Sequence, residues 1–308
     1  MQITMNAVEE ARRNIAGIAV RTPLVRLVDD VYMKLESLQP IGSFKIRGAA
    51  NAMARARSAR EARGVMTASA GNMAQGLAFC AGRMGVPATV VTPDTAPETK
   101  LRAIERLGGK IIKVPFDQWW RTFEERSFPG VDATFIHAFD DPDVMAGNGT
   151  IGLEILEDLP EVDAIAIPWG GGGLACGIAS AVKALRPAVR IYAVESETGA
   201  PLTASLAAGR PVVVDWRPSF VDGIAAKTVF PSMLERAKEL MDGTIVVTLK
   251  EAASAMRLAA ERGRVIAEGA AACAIAGAIS GKAGSGKVVA IVSGGNIDMA
   301  KFCELVNS

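Results

Sequence analysis

The sequence predicts an α/β chain built on mainly parallel, doubly wound sheets, and three observations predict it. Short apolar runs alternate along the chain with amphipathic or alanine-rich stretches long enough for a helix. That alternation is the pattern of βαβ units, whose strands pair in parallel. Runs such as AIAIPW and VVAIVS are apolar at successive positions and not at every second one, as strands covered by helices on both faces must be. Composition agrees: of 308 residues, 50% are hydrophobic and 22% charged, a packed globular balance.

In chain order the strand-like runs are Val31–Leu35, Val65–Ala68, Ala88–Thr92, Lys110–Val114, Thr134–His137, Ala164–Ile167, Arg190–Val194, Gly243–Leu249 and Val288–Val292. Most stop at Gly, Pro, Ser or Asp, residues that turn the chain. Lys45 stands where a helix-forming stretch begins. Pro97-Glu98 reads as the first turn of a later helix, since proline is tolerated at the first helical position. Asp298 reads as the cap of the last helix. At about one domain per 150 residues the length fits two domains or one large one.

Charge and residue counts exclude several functions. Basic and acidic residues number 34 and 33, a net +1, so there is no field to hold a nucleic-acid backbone. His137 is the only histidine, which rules out two-His zinc motifs and leaves any Ser/His/Asp scheme a single imidazole. In Phe135-Ile-His-Ala-Phe it reads as a hydrogen-bonded histidine in a packed seam. Cys80, Cys176, Cys273 and Cys303 show no Cys-x-x-Cys spacing, which fits a reducing, cytoplasmic compartment. The polar N-terminal stretch is unlike a signal peptide. The uncharged run from Ala164 to Val182 contains Pro168 and four glycines, so it does not present a lipid-facing helix. Trp119-Trp120 reads as a half-buried helix face and Cys176 as a small packing residue.

The strongest local signal is Gly170-Gly171-Gly172-Gly173, between a buried strand and a helix. Without Cβ atoms, such a loop folds its N–H groups onto one anion, and the helix N-terminus adds unpaired donors. A phosphate seat follows. A dinucleotide stays open as its owner, because Glu195 falls about where a Rossmann fold places its ribose-binding acid, although no G-x-G-x-x-G register is met. Gly281 to Val288 is one residue short of a Walker A loop and runs helix to strand, so it reads as a surface connection.

Ile41-Gly-Ser-Phe-Lys45-Ile-Arg-Gly48 sets a lysine between an aromatic and an aliphatic residue. Alone, the segment reads as a solvated lysine; desolvated near the glycine loop, the same amine becomes a nucleophile for aldehydes and Schiff-base chemistry. Ser69-Ala70-Gly71-Asn72 and Ser293-Gly294-Gly295-Asn296 each follow a predicted strand, as the glycine loop does. All three turns lie beyond the C-terminal ends of presumed parallel strands, the edge where ligands of open α/β sheets gather.

These motifs, in this order, together with Arg21-Thr-Pro-Leu24, Gly147-Asn-Gly-Thr-Ile-Gly-Leu-Glu154 and Val221-Asp-Gly-Ile224, closely resemble the fold type II pyridoxal-phosphate enzymes. Within these the chain is similar to the threonine/serine dehydratase and serine racemase group. The resemblance implies a tryptophan synthase beta-like fold of two doubly wound parallel-sheet domains. Residues 1–47 and 144–308 would form the large cofactor-binding domain, and 48–143 a small mobile domain carrying the substrate loop. It implies that Lys45 anchors pyridoxal 5′-phosphate and acts as the base, with Phe44 near the ring and Gly223 on the opposite side. Gly170, Gly171, Gly172, Gly173 and the N–H of Leu174 would hold the phosphate, Asn72 the ring hydroxyl, and Ser293 the pyridine nitrogen. Ser69, Ala70, Gly71, Asn72 and Met73 would receive the substrate carboxylate.

The implied reaction is β-elimination of water from L-threonine or L-serine, giving a 2-oxo acid and ammonia. A neutral serine opposite the pyridine nitrogen does not enforce a pyridinium, which favours prompt loss of a β-substituent over a long-lived carbanion. Ala70 stands where serine racemase has a second acid/base serine, which disfavours racemisation. Met73 stands where the family usually has histidine, leaving open elimination from another β-hydroxy amino acid such as 3-hydroxyaspartate. Pro201 replaces an expected metal-binding aspartate, so no metal site is expected beside Glu195. A homodimer is the family's usual assembly. Two readings of other classes also remain at this stage: a nicotinamide-dependent oxidoreductase, and a non-catalytic protein that keeps the fold.

Overall fold

The computed structural model describes residues 3–56 and 63–307. Its strands are β1 (Leu24–Val28), β2 (Val31–Lys34), β3 (Val65–Ala68), β4 (Ala88–Pro93), β5 (Lys110–Val114), β6 (Thr134–Phe135), β7 (Ala164–Pro168), β8 (Arg190–Ser196), β9 (Gly243–Val247) and β10 (Val288–Ile291). They form a six-stranded sheet in the order β1-β2-β10-β7-β8-β9 and a four-stranded sheet in the order β5-β4-β3-β6. Every pair is parallel except β1 with β2.

Every predicted run is a strand, with ends displaced by local chemistry. The run from Gly243 stops at Val247 because Thr248 turns to cap the helix Leu249–Leu258, in a reciprocal capping box with Glu251. Pro97 is the extended residue before the helix Glu98–Arg106 and not its first turn. Asp298 caps Met299–Val306 as expected, accepting from the N–H groups of Ala300 and Lys301. β1 was not anticipated. It is a half-exposed, antiparallel edge strand that carries Arg26, so it lacks the continuous apolar signature of a doubly covered strand.

The core explains the runs without alternation. β7 and β10 are buried at every position, and apolar side chains pack on both faces of the large sheet. A third cluster joins the helix Lys45–Arg55, through Ile46, Ala49 and Met53, to Met73, Leu77 and Cys80 of the helix Asn72–Met84. The Gly147–Glu154 motif lies within the helix Pro142–Asp158, where its glycines are contact points. A Cβ on Gly147 would stand 2.4 Å from the Arg47 carbonyl, and one on Gly177 would stand 2.3 Å from the Met145 carbonyl. Absent side chains thus let three helices touch backbone to backbone.

Candidate active site

Adjacent strands of the large sheet deliver most of the site. The chain leaving β2 reaches Phe44, whose N–H donates to Ser293 O at 2.9 Å, while Gly295 N–H donates to Gly42 O at 2.9 Å. The start of the Lys45 helix is thereby stitched to the SGGN turn that follows β10. The glycine loop follows β7, the neighbour of β10. The SAGN turn, which follows β3 of the small sheet, is joined to the same place by hydrogen bonds from Asn72 Nδ2 to Glu268 and from Asn296 Nδ2 to Asn72 Oδ1.

Lys45 and the glycine loop meet across residues 138–139. Lys45 is half-buried, and its Nζ donates to Ala138 O at 2.7 Å. The next residue, Phe139, underlies the loop: a Cβ on Gly171 would fall 2.1 Å from its ring, and one on Gly173 would fall 2.7 Å from its backbone. Gly172 is in the left-handed region (φ 88°), with the Trp169 ring against its Cα. Among the described residues, the N–H groups of Gly170, Gly171, Gly172, Gly173 and Leu174 have no protein acceptor, whereas Cys176 N–H already bonds Gly172 O. Five consecutive donors at a helix N-terminus form a seat for a multiply charged anion. In the SAGN turn the N–H groups of Ala70, Asn72 and Met73 are likewise unpaired, while Gly71 N–H bonds Ser69 Oγ.

Electrostatics suit amine chemistry. Desolvation lowers Lys45 from 10.5 to about 8, against the opposing charge of Glu268. Burial raises Glu268 from 4.5 to about 7, although Asn72 and the Asn296 N–H donate to it. Gly223 lies between Glu268 and the glycine loop: its Cβ would meet Glu268 at 3.2 Å, and a Cβ on Gly170 would meet Ile224 Cα at 3.1 Å and Gly223 O at 3.5 Å. The Phe44 ring lies 5.1 Å from Lys45 Nζ, and the Ser293 hydroxyl, beside it, makes no hydrogen bond within the protein.

Contacts thus link Lys45, Phe44, Ser293, Asn72, Gly223 and the glycine loop through Ala138, Phe139 and Glu268, and the Met73 side chain lies apart from them. The Met73 side chain is buried in the small-sheet core, so only its N–H faces the turn. His137 lies in the expected seam: its Nδ1 accepts from Phe139 and Asp140 N–H, and Phe123, Phe139 and Phe230 surround the ring. Burial drives it down to about 3, so it stays neutral. The sequence gives no sign of Ala138 and Phe139 as the floor of the site beyond their adjacency to His137. Glu195 is buried and accepts from Leu202 N–H, Thr203 N–H and Thr203 Oγ1, capping the helix Pro201–Ala208. A carboxylate so engaged does not face a ribose.

The chain belongs to the family described as pyridoxal-phosphate dependent enzymes, whose model matches residues 15–294. It is 39% identical over 318 aligned residues to an L-threonine ammonia-lyase of Thermotoga maritima, covering 99% of this chain and 78% of that protein. Among solved structures it is similar to maize serine racemase (TM-score 0.90, 31% identity, covering 99% of this chain and 97% of that one). It also resembles the processed threonine deaminase isoform 2 of Solanum lycopersicum (TM-score 0.89, 35% identity, covering 98% and 87%). The nicotinamide-dependent reading is overturned by this membership. The residues present fit pyridoxal phosphate: a desolvated amine for the aldehyde, unpaired amides for the phosphate and an uncommitted hydroxyl at Ser293. Among the described residues, no helix is long and apolar enough to cross a membrane.

The glycine loop makes a direct prediction. Phe139 is held by Phe123, His137 and Phe230 and yields little to a new methyl group. Gly171→Ala is expected to weaken cofactor binding roughly 10- to 100-fold, the equivalent of an overpacking cost of about 1–3 kcal/mol. Absorbance titration of apoprotein checks it, and adding Phe139→Leu should recover part of the loss.

Proposed function

We propose that this chain is a pyridoxal-phosphate ammonia-lyase for L-threonine, L-serine or both, expelling the β-hydroxyl as water and yielding a 2-oxo acid and ammonia. The observation that carries the reading is the Lys45 amine, set across Ala138–Phe139 from five unpaired amides. The relatives support the reaction, being named L-threonine ammonia-lyase and threonine deaminase. When bound, the cofactor supplies an electron sink that acidifies the Cα–H of an attached amino acid.

The chain's own residues do the rest. Lys45 anchors the cofactor and then takes the Cα proton at Nζ, a task suited to an amine near pH 8. Gly170, Gly171, Gly172, Gly173 and Leu174 grip the phosphate through their N–H groups. Phe44 and Gly223 flank the ring, Asn72 meets its hydroxyl and Ser293 its nitrogen. Ser69, Ala70, Gly71 and the N–H groups of Asn72 and Met73 receive the substrate carboxylate. Ala70 offers no second proton carrier, which favours elimination over racemisation. The released enamine tautomerises and hydrolyses in water.

In this reading residues 48–143 close over the amino acid and exclude water. Lys100 and Asp222, paired at 2.5 Å, bridge the two units near Glu268 and support that closure. Four free cysteines, three of them buried, fit a cytoplasmic enzyme, and a homodimer is the expected assembly. The test is a product assay on purified holoenzyme. L-Threonine and L-serine should yield 2-oxobutyrate and pyruvate with matching ammonia; D-serine accumulating faster than pyruvate would overturn the lyase reading.

A further inference from the structure

Asn72 is held from both sides by groups that cannot exchange roles. Its Nδ2 donates to Glu268 Oε1 at 3.1 Å and Oε2 at 3.2 Å, and its Oδ1 accepts from Asn296 Nδ2 at 2.7 Å. Asn296 is itself fixed, donating from Nδ2 to Ile41 O at 2.9 Å and from its N–H to Glu268 Oε2 at 3.2 Å. An ionised carboxylate only accepts and the Asn296 amide nitrogen only donates, so the Asn72 amide has one orientation here. The two oxygens of one carboxylate subtend too small an angle at Nδ2 to take both hydrogens. One N–H of Asn72 therefore stays uncommitted.

The carboxylate has a fitted place. A Cβ on Gly294 would come within 2.8 Å of it and one on Gly223 within 3.2 Å, so both turns approach Glu268 without side chains. Its contacts also span the molecule. Asn72 belongs to the turn after β3 of the small sheet, while Glu268 and Asn296 flank β10 of the large one.

We propose that Glu268 is a positioning residue for the cofactor: it locks the Asn72 amide so that the remaining N–H is presented to the ring hydroxyl, and the same contact ties the SAGN turn to the SGGN turn. The inference rests on the reading that Asn72 meets that hydroxyl. The charged groups facing Glu268 are Asp222 from the loop after Val221, Lys100 from the helix Glu98–Arg106, and Lys45 from its own helix. As pH falls through the neutral range the carboxyl gains a proton, accepts less well, and loosens the amide.

The test compares loaded wild type with Glu268→Gln, Glu268→Asp, Asn72→Ala and the Asn72→Ala/Glu268→Gln double variant. Each is read by the visible spectrum of the bound cofactor from pH 6 to 9 and by its dissociation constant. Wild type should show a spectral transition with a midpoint near pH 7. E268Q should lack it and bind pyridoxal phosphate roughly tenfold more weakly, as expected when the acceptor loses its charge and one of its two oxygens becomes a donor facing Asn72 Nδ2 or the Asn296 N–H. E268D should keep the transition with looser binding, and it carries the test if E268Q does not fold. The double variant should match Asn72→Ala, because Glu268 acts through that amide. A wild-type transition and affinity in E268Q, a flat titration in E268D, or independent losses in the double variant would each overturn the proposal. Asn72→Ala indistinguishable from wild type would instead remove the reading on which it rests.

Discussion

Lys45→Ala is expected to leave a folded protein without the yellow, borohydride-reducible chromophore and with activity lower by about four orders of magnitude, the upper range for losing a general base. In the proposed reading two jobs end together, anchoring the aldehyde and moving the Cα proton, and among the described residues no second amine stands at the site to take them over. Among the described residues, the buried carboxyl and imidazole at the site are Glu268, an acid near 7 already engaged by Asn72, and His137, whose acceptor nitrogen is taken by two backbone N–H groups. The same amine sets a pH dependence. Its ammonium form falls to about 8 because burial strips it of water, and only the neutral form attacks an aldehyde. Apoprotein should therefore take up pyridoxal phosphate faster as pH rises from 6 towards 8 and level off above. A stopped-flow absorbance series measures this. A pH-independent rate, or a chromophore in the alanine variant, would remove Lys45 from its role.

Why this lysine could be singled out, and its supports could not, follows from how each is encoded. A strand ending in a glycine- or serine-rich turn is a local pattern, so β3, β7 and β10 and the loops after them are legible in the sequence. The chemistry of Lys45 was not local. The segment alone reads as a solvated lysine, and the order of motifs along the chain supplied the rest. Phe139 escaped notice because the chain shows nothing of the ring that lies against Gly171 and Gly173. Lys34, Glu36, Arg47 and Glu154 escaped for a different reason. Scattered charges suggest a wet surface, and only tertiary pairing makes it affordable to bury them.

That buried cluster carries the largest expected effect on stability. Arg47, two residues beyond Lys45 on the same helix, is 1% exposed. It grips Glu36 through Nε and Nη2 at 2.8 Å, and Glu154 through Nη1 at 2.7 Å and Nη2 at 2.9 Å, with Thr150 Oγ1 taking the second N–H of Nη1 and Val20 O sharing those of Nη2. Lys34 Nζ bonds Glu154 at 2.6 Å and Thr22 O at 2.6 Å. Two cations and two anions thus lock β2, the Lys45 helix and the helix Pro142–Asp158 into one register. Arg47→Met removes one cation and strands a buried negative charge. The expected cost is about 3–5 kcal/mol, or a melting temperature lower by roughly 10 °C.

The same cluster makes an acid-side prediction. Burial alone would raise Glu154, but hydrogen bonds and charge from Arg47 and Lys34 outweigh it and hold the group below 4.5. A carboxylate depressed in the folded state contributes stability above its unfolded pKa and loses it as pH falls. Arg47→Met should therefore move the acid-unfolding midpoint upward as well as lower the melting temperature. Adding Glu36→Gln restores neutrality, leaving Lys34 opposite Glu154, and should recover part of the loss. Calorimetry on the wild type, both single variants and the double completes the cycle. Additive losses would mean that Arg47 stabilises by packing alone, and the charge account would fail. A partial rescue would tie the placement of the reactive amine to a salt-bridge network on the far side of its own helix.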